Sequence, residues 1–165
     1  MGVAGAGKTT IGKLLARRLG GDFLDADDLH SSANIQKMSR GEPLDDGDRW
    51  PWLDVVAHTA REHTGPFPLV LACSALKEAY RERLGLGQGC IVFLTGPRDT
   101  IEQRLESRPG HFMPSQLLDS QLEILEEPDW AITVSVTNTP DGIVKEIIHL
   151  LHRQSDDAMD ENDSE

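Results

Sequence analysis

The stretch GVAGAGKT at residues 2–9 fits every fixed position of the phosphate-binding loop pattern G-x-x-x-x-G-K-[ST]. Glycines in such a loop let backbone N–H groups converge on a phosphate without interference from Cβ atoms. Lys8 can reach the outer phosphates of a nucleotide, and the Thr9 hydroxyl can ligate Mg²⁺. We therefore predict a nucleotide-binding protein whose phosphate contacts come from this loop: Gly2, Val3, Ala4, Gly5, Ala6, Gly7, Lys8 and Thr9.

Short apolar runs alternate with segments of helical periodicity along the rest of the chain. Leu69–Cys73 and Ile91–Leu94 are wholly apolar, which is typical of strands that are covered on both faces of a parallel sheet. Between such runs the apolar residues recur at helical spacing, as in Lys8–Leu19. This alternation indicates βαβ units. We predict one compact α/β domain over residues 1–154, with helices flanking a parallel sheet.

Local signals predict where several helices begin and end. Ser74 is placed to cap a helix that starts at Ala75. Pro51 suits the first turn of another helix, because its missing N–H has no intrahelical partner there. The last helix is predicted to end near Arg153.

The net charge of −12 is unevenly distributed along the 165 residues. Half of it lies in residues 155–165, SDDAMDENDSE, which contain six acidic residues and no basic one. This segment is too polar to pack, and we predict that it is a disordered acidic tail. The remainder is mildly acidic, which argues against nucleic acid as a partner because nucleic-acid binders usually show a basic stripe.

Neither a membrane nor an oxidising compartment is indicated by the apolar residues and the cysteines. The longest apolar run, LVLAC at residues 69–73, is far shorter than the roughly 20 residues that span a bilayer. Cys73 and Cys90 lie in or beside apolar runs without metal-ligand spacing, as expected for reduced thiols. We expect a cytoplasmic protein that does not bind membranes.

Two aspartates follow the short predicted strand Phe23-Leu24. In an open parallel sheet, ligands bind at the carboxyl ends of the strands, and this is where Asp25 and Asp27 lie. Their i, i+2 spacing on an extended segment puts both carboxylates on one side. That arrangement suits a shared site for Mg²⁺ and a substrate hydroxyl in phosphoryl transfer. The alternative is an acidic turn that caps the next helix.

Arg104 and Arg108 are four residues apart on a predicted helix that runs into the helix-breaking pair Pro109-Gly110. This arrangement is typical of arginines at the base of a lid, where they would clamp the transferred phosphate. The alternative is a solvated helix face that pairs with neighbouring glutamates. His111, just beyond the break, is either a lid contact or an ordinary loop histidine.

Several segments together resemble the gluconokinases, over about residues 1–150 of the chain. Besides the phosphate loop, the resemblance rests on FLDADDLH at 23–30, KM at 37–38, GEPLDD at 41–46, DRWPWL at 48–53, CSALK at 73–77, YR at 80–81, GHF at 110–112, Gln121 and LEEP at 125–128. The D-R-x-P-W-L and C-S-A-L-K blocks are far more specific than the phosphate loop.

The resemblance implies a P-loop kinase of the shikimate/gluconate kinase type, with five parallel strands in the order 2-3-1-4-5 and a small lid. It also implies ATP and Mg²⁺ as cofactors, and ATP-dependent phosphorylation of D-gluconate at its 6-hydroxyl to 6-phospho-D-gluconate, by a homodimer. The alternatives are another small-molecule P-loop kinase, of the shikimate or nucleotide type, and a catalytically impaired nucleotide-binding isoform.

The resemblance also assigns roles to single residues. Thr9 would bind Mg²⁺, and Asp25 would orient the metal through water. Asp27 would accept the proton of the substrate hydroxyl. Arg49 would bind the substrate carboxylate, which a guanidinium group matches with two parallel hydrogen bonds. Further candidates are Lys77, Arg81 and His111 for substrate binding, and Lys8, Arg104 and Arg108 for catalysis.

One departure from the resemblance concerns the start of the chain. The gluconokinases have an apolar strand immediately before the phosphate loop, whereas this sequence begins at Met1-Gly2. The resemblance puts that strand at the centre of the sheet, between Leu69–Cys73 and Ile91–Leu94. We therefore expect an N-terminally shortened form whose apolar strands leave backbone groups unpaired, at about 1–3 kcal/mol for each buried group. Such a form would be aggregation-prone or weakly active.

Overall fold

The computed structural model describes residues 1–85, 91–107 and 116–162, with the backbone alone for 116 and 155–162. Short strands alternate with helices, as predicted. The strands are β1 (Asp22–Asp25), β2 (Leu69–Ala72), β3 (Val92–Thr95) and β4 (Ile132–Ser135). The α-helices are α1 (Lys8–Leu19), α2 (Ser32–Ser39), α3 (Asp46–Arg61), α4 (Glu78–Leu84), α5 (Arg98–Glu106), α6 (Gln116–Glu123) and α7 (Pro140–Asn162). A 3-10 turn at Ala26–Leu29 follows β1.

The four strands form two parallel pairs, β1 with β2 and β3 with β4. The first two residues of the chain lie between these pairs. Leu94 of β3 donates its N–H to the Met1 carbonyl at 2.9 Å, and Gly2 donates its N–H to the Ser74 carbonyl, just after β2, at 3.3 Å. The order is therefore β1, β2, residues 1–2, β3, β4. It matches the predicted order, in which the segment before the phosphate loop is central.

Two hydrophobic clusters pack around this sheet. The larger joins α1 to α7 and to β3 and β4, through buried side chains such as Leu15, Leu94, Val134 and Ile147. The second lies between α3 and α4 and includes Leu53, Val56, Tyr80 and Leu84. Because the apolar faces of these helices are buried around parallel strands, the α/β class predicted from the alternating pattern is confirmed.

Two predicted helix starts are wrong. The helix α3 begins at Asp46, not at Pro51, because Asp45 and Asp48 form a reciprocal capping box at its start and Pro51 is accommodated inside the helix. The helix α4 begins at Glu78, not at Ala75. Ala75 has a left-handed backbone with φ of 46°, which is incompatible with the first turn of a right-handed helix.

The last helix is longer than predicted. The backbone of α7 continues past Arg153 to Asn162, so its end is helical within the acidic segment 155–165 that composition predicts to be disordered. No helix in the described ranges combines the length and the apolar character that crossing a bilayer requires.

Candidate active site

The phosphate loop connects the centre of the sheet to the start of α1. Gly5 and Gly7 have left-handed backbones with φ of 81° and 92°, which glycine adopts without strain. A Cβ atom at Gly5 would lie 2.8 Å from the carbonyl oxygen of Ile101, so the loop also packs too closely against α5 for another residue. The two glycines therefore allow the loop to curl back over the N-terminus of α1.

The N–H groups of this loop divide into two sets. Ala4 donates to the side-chain oxygen of Gln121 at 2.7 Å, and Ala6 donates to the Val3 carbonyl at 3.2 Å. The N–H groups of Gly5 and Gly7 have no acceptor among the described residues. The N–H groups in the first turn of α1 also have none, because the first turn of any helix leaves these groups without an intrahelical partner. A helix N-terminus with unpaired N–H groups attracts an anion.

Gln121 fixes the loop from a distant part of the chain. Its side chain is buried, it belongs to α6, and it lies 117 residues from Ala4 along the chain. The sequence pattern marks Gln121 only as part of the resemblance and gives it no role. Lys8 forms a second hydrogen bond within the loop, because its ammonium group donates to the Val3 carbonyl at 3.1 Å.

Asp25, the last residue of β1, and Asp27, in the turn that follows, face different neighbours. The buried Asp25 accepts a hydrogen bond from the Thr9 hydroxyl at 2.7 Å with one carboxylate oxygen. Its other oxygen accepts from the backbone N–H of Asp27 at 3.2 Å and so caps the 3-10 turn. Asp25 therefore caps the turn, as the alternative interpretation of the acidic pair predicts, and it also contacts the phosphate loop. Asp27 lines the cavity beside the loop.

The oxygen atoms of Thr9 and Asp25 fit a Mg²⁺ site. Both are hard oxygen donors, and they are only 2.7 Å apart at the edge of the phosphate loop. Mg²⁺ usually keeps several waters and takes one or two protein ligands together with nucleotide phosphates. In residues 1–85, 91–107 and 116–162 no group of three His, Cys, Asp or Glu residues is placed to hold a metal.

A cavity lies between the phosphate loop, the turn after β1, and helices α3 and α6. Its lining combines the loop with polar side chains and a small apolar wall: Ala4, Gly5, Gly7, Lys8, Thr9, Asp27, His30, Met38, Pro43, Leu44, Arg49, Ser74, Leu117, Ser120 and Gln121. The predicted residues Lys8, Thr9, Asp27 and Arg49 therefore come together in one place. The sequence patterns assigned no role in binding to His30 or Ser120.

Arg49 supplies a buried positive charge to the cavity. Its side chain is only 6% exposed, and its guanidinium carbon lies 5.7 Å from the centre of the Tyr80 ring. Nε donates to the Leu44 carbonyl at 3.2 Å, which is its only side-chain hydrogen bond to the described residues. The two terminal amino groups thus remain for a ligand. A buried cation is costly unless an anion pairs with it, so the cavity is suited to an anionic compound.

Lys77 and Arg81 do not line this cavity. Lys77 forms an ion pair with Asp46 at 2.8 Å, and the hydrogen bond that its ammonium group donates to the Asp46 carboxylate raises the pKa of Lys77. The buried Arg81 donates to three backbone carbonyls, of Ala75 at 3.0 Å, Leu76 at 3.2 Å and Glu126 at 3.0 Å. These contacts hold the loop after β2 in place, which favours structural functions for both cations.

Arg104 borders a second cavity on the other side of the phosphate loop. Its guanidinium group donates to the Val136 carbonyl, and the same cavity is lined by Asn138, Pro140 and the loop residues Gly5–Gly7. Arg104 therefore does not line the cavity of Asp27 and Arg49. Its predicted lid partner Arg108 and the candidate His111 lie outside the described residues.

Comparisons with known proteins agree with this arrangement. The family model for shikimate kinase matches residues 4–151. A gluconokinase from Gluconobacter oxydans is 45% identical over 163 residues, which cover 95% of this chain and 90% of that protein. The thermoresistant gluconokinase of Escherichia coli is 39% identical, with 93% of this chain and 91% of that protein covered.

Solved structures give the same result. The crystal structure of a gluconokinase from Sinorhizobium meliloti 1021 has a TM-score of 0.83 at 40% identity, covering 98% of this chain and 94% of that one. A shikimate kinase from Aquifex aeolicus has a TM-score of 0.60 at 23% identity, with 94% and 95% covered, and shares the fold. The resemblance inferred from the sequence blocks is confirmed. This chain belongs to the gluconokinases, enzymes of the shikimate kinase family of P-loop kinases.

Proposed function

We propose that the protein transfers the γ-phosphoryl group of ATP to the 6-hydroxyl of D-gluconate, giving 6-phospho-D-gluconate and ADP. The observation that carries this proposal is that Asp27 and Arg49 line one cavity with Lys8 and Thr9 of the phosphate loop. A phosphate site, a proton acceptor and a cation for a carboxylate are thus adjacent. The gluconokinase names of the relatives support the same substrate.

The nucleotide is proposed to lie across the phosphate loop. Its phosphates accept hydrogen bonds from the unpaired N–H groups at the start of α1, and Lys8 offsets their negative charge. Its base lies towards the second cavity, where Arg104 and Asn138 offer polar groups. We therefore assign Arg104 to nucleotide contact, and Arg108 remains the candidate for clamping the transferred phosphoryl group.

Magnesium is proposed to bind at Thr9 and Asp25. When it is bound there, Mg²⁺ reduces the repulsion between the phosphate oxygens and the incoming hydroxyl. Asp25 supplies a carboxylate oxygen and keeps the Thr9 hydroxyl oriented, because the two are already hydrogen-bonded. Asp25 also fixes the turn that presents Asp27, through the backbone N–H of Asp27.

In the transfer step, Asp27 accepts the proton of the 6-hydroxyl while that oxygen forms a bond to the γ-phosphorus. The bond from the γ-phosphorus to the oxygen that bridges it to the β-phosphorus breaks, and ADP leaves with the electron pair. Lys8 offsets the charge that spreads over the phosphoryl oxygens. Arg49 binds the carboxylate at the opposite end of the sugar acid and so sets which hydroxyl reaches Asp27.

The cellular setting and the assembly are proposals too. We propose a cytoplasmic enzyme, since ATP is the phosphoryl donor and Cys73 is a buried, unpaired thiol. Burial raises the pKa of Cys73 to about 11, so the thiol is protonated and unreactive at neutral pH. We also propose a homodimer, and sedimentation of the full chain at micromolar concentration measures its mass directly.

The substrate is tested by ADP release with Mg²⁺ and ATP over D-gluconate, related sugar acids, shikimate and nucleoside monophosphates. We expect D-gluconate to give the highest kcat/KM. It combines a carboxylate for Arg49 with a hydroxyl at the far end of a six-carbon chain, which shikimate and the nucleoside monophosphates do not, and related sugar acids differ from it in the hydroxyl groups between. If shikimate or a nucleoside monophosphate gave a higher kcat/KM, that compound and not gluconate would be the substrate. ADP release that no acceptor stimulates would indicate an impaired isoform.

A further inference from the structure

His30 lies in the substrate cavity and has no role in the phosphoryl transfer described above. It follows the 3-10 turn that presents Asp27, and it lines the cavity together with Asp27 and Arg49. A histidine at this place could act as a proton acceptor, as a cation or as a neutral hydrogen-bonding group. The contacts of its ring decide between these three possibilities.

Two neighbours fix the ring. His30 stacks on Trp52, with the ring centres 4.2 Å apart and the planes inclined by 16°. Trp52 is itself immobilised, since it is 3% exposed and its Nε1–H donates to the Ala26 carbonyl at 2.7 Å. One face of the imidazole is therefore covered by a buried side chain, and this stacking fixes the plane in which its two nitrogens lie.

Asn34 determines which imidazole nitrogen carries the proton. Its Nδ2 lies 3.0 Å from the carbonyl oxygen of Asp48. A carbonyl only accepts hydrogen bonds, so the amide must present its nitrogen on this side. The same Nδ2 lies 3.5 Å from Nδ1 of His30, a long contact that is favourable when Nδ1 is the acceptor and unfavourable when both nitrogens point a hydrogen at each other. The proton of the neutral ring is consequently on Nε2, which leaves Nε2–H as a donor.

The ring is neutral at the pH where kinases work. Burial lowers the pKa of His30 to about 4, the positive charge of Arg49 acts in the same direction, and the Asp27 carboxylate opposes both. A neutral His30 cannot compete with Arg49 for the substrate carboxylate. It is also a poor proton acceptor, because its only available nitrogen already carries a proton.

We propose that His30 is a specificity-determining residue, whose Nε2–H donates a hydrogen bond to a secondary hydroxyl group of the sugar acid. This inference rests on the proposed function, in which Arg49 takes the carboxylate and Asp27 takes the hydroxyl that is phosphorylated. The hydroxyl groups between these two ends need neutral partners. His30, on the same cavity wall as Asp27 and Arg49, supplies a rigid donor with a defined direction.

The test compares His30→Phe, which keeps the aromatic stack on Trp52, with His30→Gln, which keeps a donor near the position of Nε2. We expect His30→Phe to raise the KM for D-gluconate about 5- to 20-fold, with a smaller change in kcat, because one hydrogen bond to a neutral hydroxyl is lost. His30→Gln should recover part of that loss. Thermal unfolding of both variants identifies any loss of folded enzyme.

Deoxy analogues of D-gluconate separate recognition from a structural effect. Removing the hydroxyl that contacts His30 should impair the wild type, and His30→Phe should then add no further loss with that analogue. If His30→Phe changes kcat/KM by one common factor for gluconate and every deoxy analogue, the inference is overturned. Failure of the wild type to phosphorylate gluconate would instead overturn the proposed function.

A measurement on the wild type detects the tautomer directly, and a variant is needed only to assign the signal. Nitrogen-15 NMR at pH 7 distinguishes the two imidazole tautomers and the imidazolium, and His30→Gln identifies the signal of His30. We expect the tautomer with the proton on Nε2. A proton on Nδ1, or a doubly protonated ring, would contradict the assignment of Nε2–H as the donor.

Discussion

The two walls of the substrate cavity are built in different ways. The wall proposed to bind phosphate comes from one contiguous stretch, residues 2–9, which contains the glycines and leads into the start of α1. The sugar-acid wall is assembled from residues on separate elements: Asp27 on the turn after β1, His30 beyond it and Arg49 on α3. A contiguous motif can be recognised without a structure, whereas a dispersed wall depends on the packing of the whole domain.

Three basic residues near the second wall show what packing decides. Arg49, Lys77 and Arg81 carry the same charge, and the sequence offers all three for the same substrate. Only Arg49 lines the cavity. Lys77 forms an ion pair with Asp46, and Arg81 donates hydrogen bonds to backbone carbonyls of the loop after β2. Charge therefore does not distinguish these three residues, whereas their positions relative to the cavity do.

The largest effect is expected where the two walls meet, at Asp27. Asp27→Asn removes the proton acceptor and should lower kcat about 10²- to 10⁴-fold, with little change in KM for ATP. The matched control is Asp28→Asn, which alters the next, exposed aspartate of the same turn. Steady-state ADP release measures both. An equal decrease in kcat in the two variants would show that any change in this turn impairs the enzyme and would contradict the assignment of Asp27 as the proton acceptor.

Substitutions of Arg49 and Lys77 test whether only the basic residue that lines the cavity binds gluconate. Arg49→Met should raise the KM for gluconate about 30-fold or more, since it removes one partner of a buried charge pair. Arg49→Lys should recover only part of this, because a point charge does not reproduce the planar fork. Lys77→Gln is the control, and its KM for gluconate should stay near the wild-type value. A larger rise in KM for Lys77→Gln than for Arg49→Met would reverse the assignment.

Arg81 should affect stability more than substrate binding. Arg81→Met leaves the carbonyls of Ala75 and Glu126 without their donor, while the Leu76 carbonyl keeps the N–H of Glu126, and the cost is about 1–3 kcal/mol in the free energy of unfolding. Arg83→Met, which removes an exposed ion pair with Asp54, is the control and should cost much less. Urea unfolding compares them. A variant Arg81→Met of normal stability but raised KM for gluconate would place Arg81 in substrate binding.

The smallest effect concerns pH. The pKa of His30 is lowered from its ordinary 6.5 to about 4 in the folded protein. Between these values the unfolded chain binds a proton that the folded chain does not, so the folded state loses stability as the pH falls from 6.5 towards 4. His30→Gln removes this contribution. Urea unfolding at pH 7 and pH 5 should therefore show a smaller loss in His30→Gln than in the wild type, whereas equal losses would indicate that His30 titrates normally.

The parts of the site that follow from local patterns were predictable from the sequence. The phosphate loop, the alternation of strands and helices, and the place of Asp25 after a strand need only neighbouring residues. The contact between Gln121 and Ala4 joins residues from opposite ends of the domain, and no local pattern reports it. The donor direction of His30 depends likewise on Asn34, which α3 positions through the Asp48 carbonyl.

The two helix starts were predicted wrongly because contacts outside the local pattern decide where these helices begin. Pro51 is a good signal for a first turn, but the capping box of Asp45 and Asp48 begins the helix earlier and the proline is tolerated inside it. Ser74 is a good cap, but the left-handed Ala75 interrupts the helix that would follow. The carbonyls of that loop are then satisfied by Arg81, which a reading of local propensities does not reveal.

The product of the reaction tests the central claim most directly. Phosphorus-31 NMR of the enzyme with Mg²⁺, ATP and D-gluconate should show one new phosphomonoester, on the 6-hydroxyl, formed in step with ADP. This result requires that one cavity binds the carboxylate at Arg49 and presents the far hydroxyl to Asp27. A phosphate on another hydroxyl would contradict that orientation, and ADP accompanied only by inorganic phosphate would contradict the kinase assignment itself.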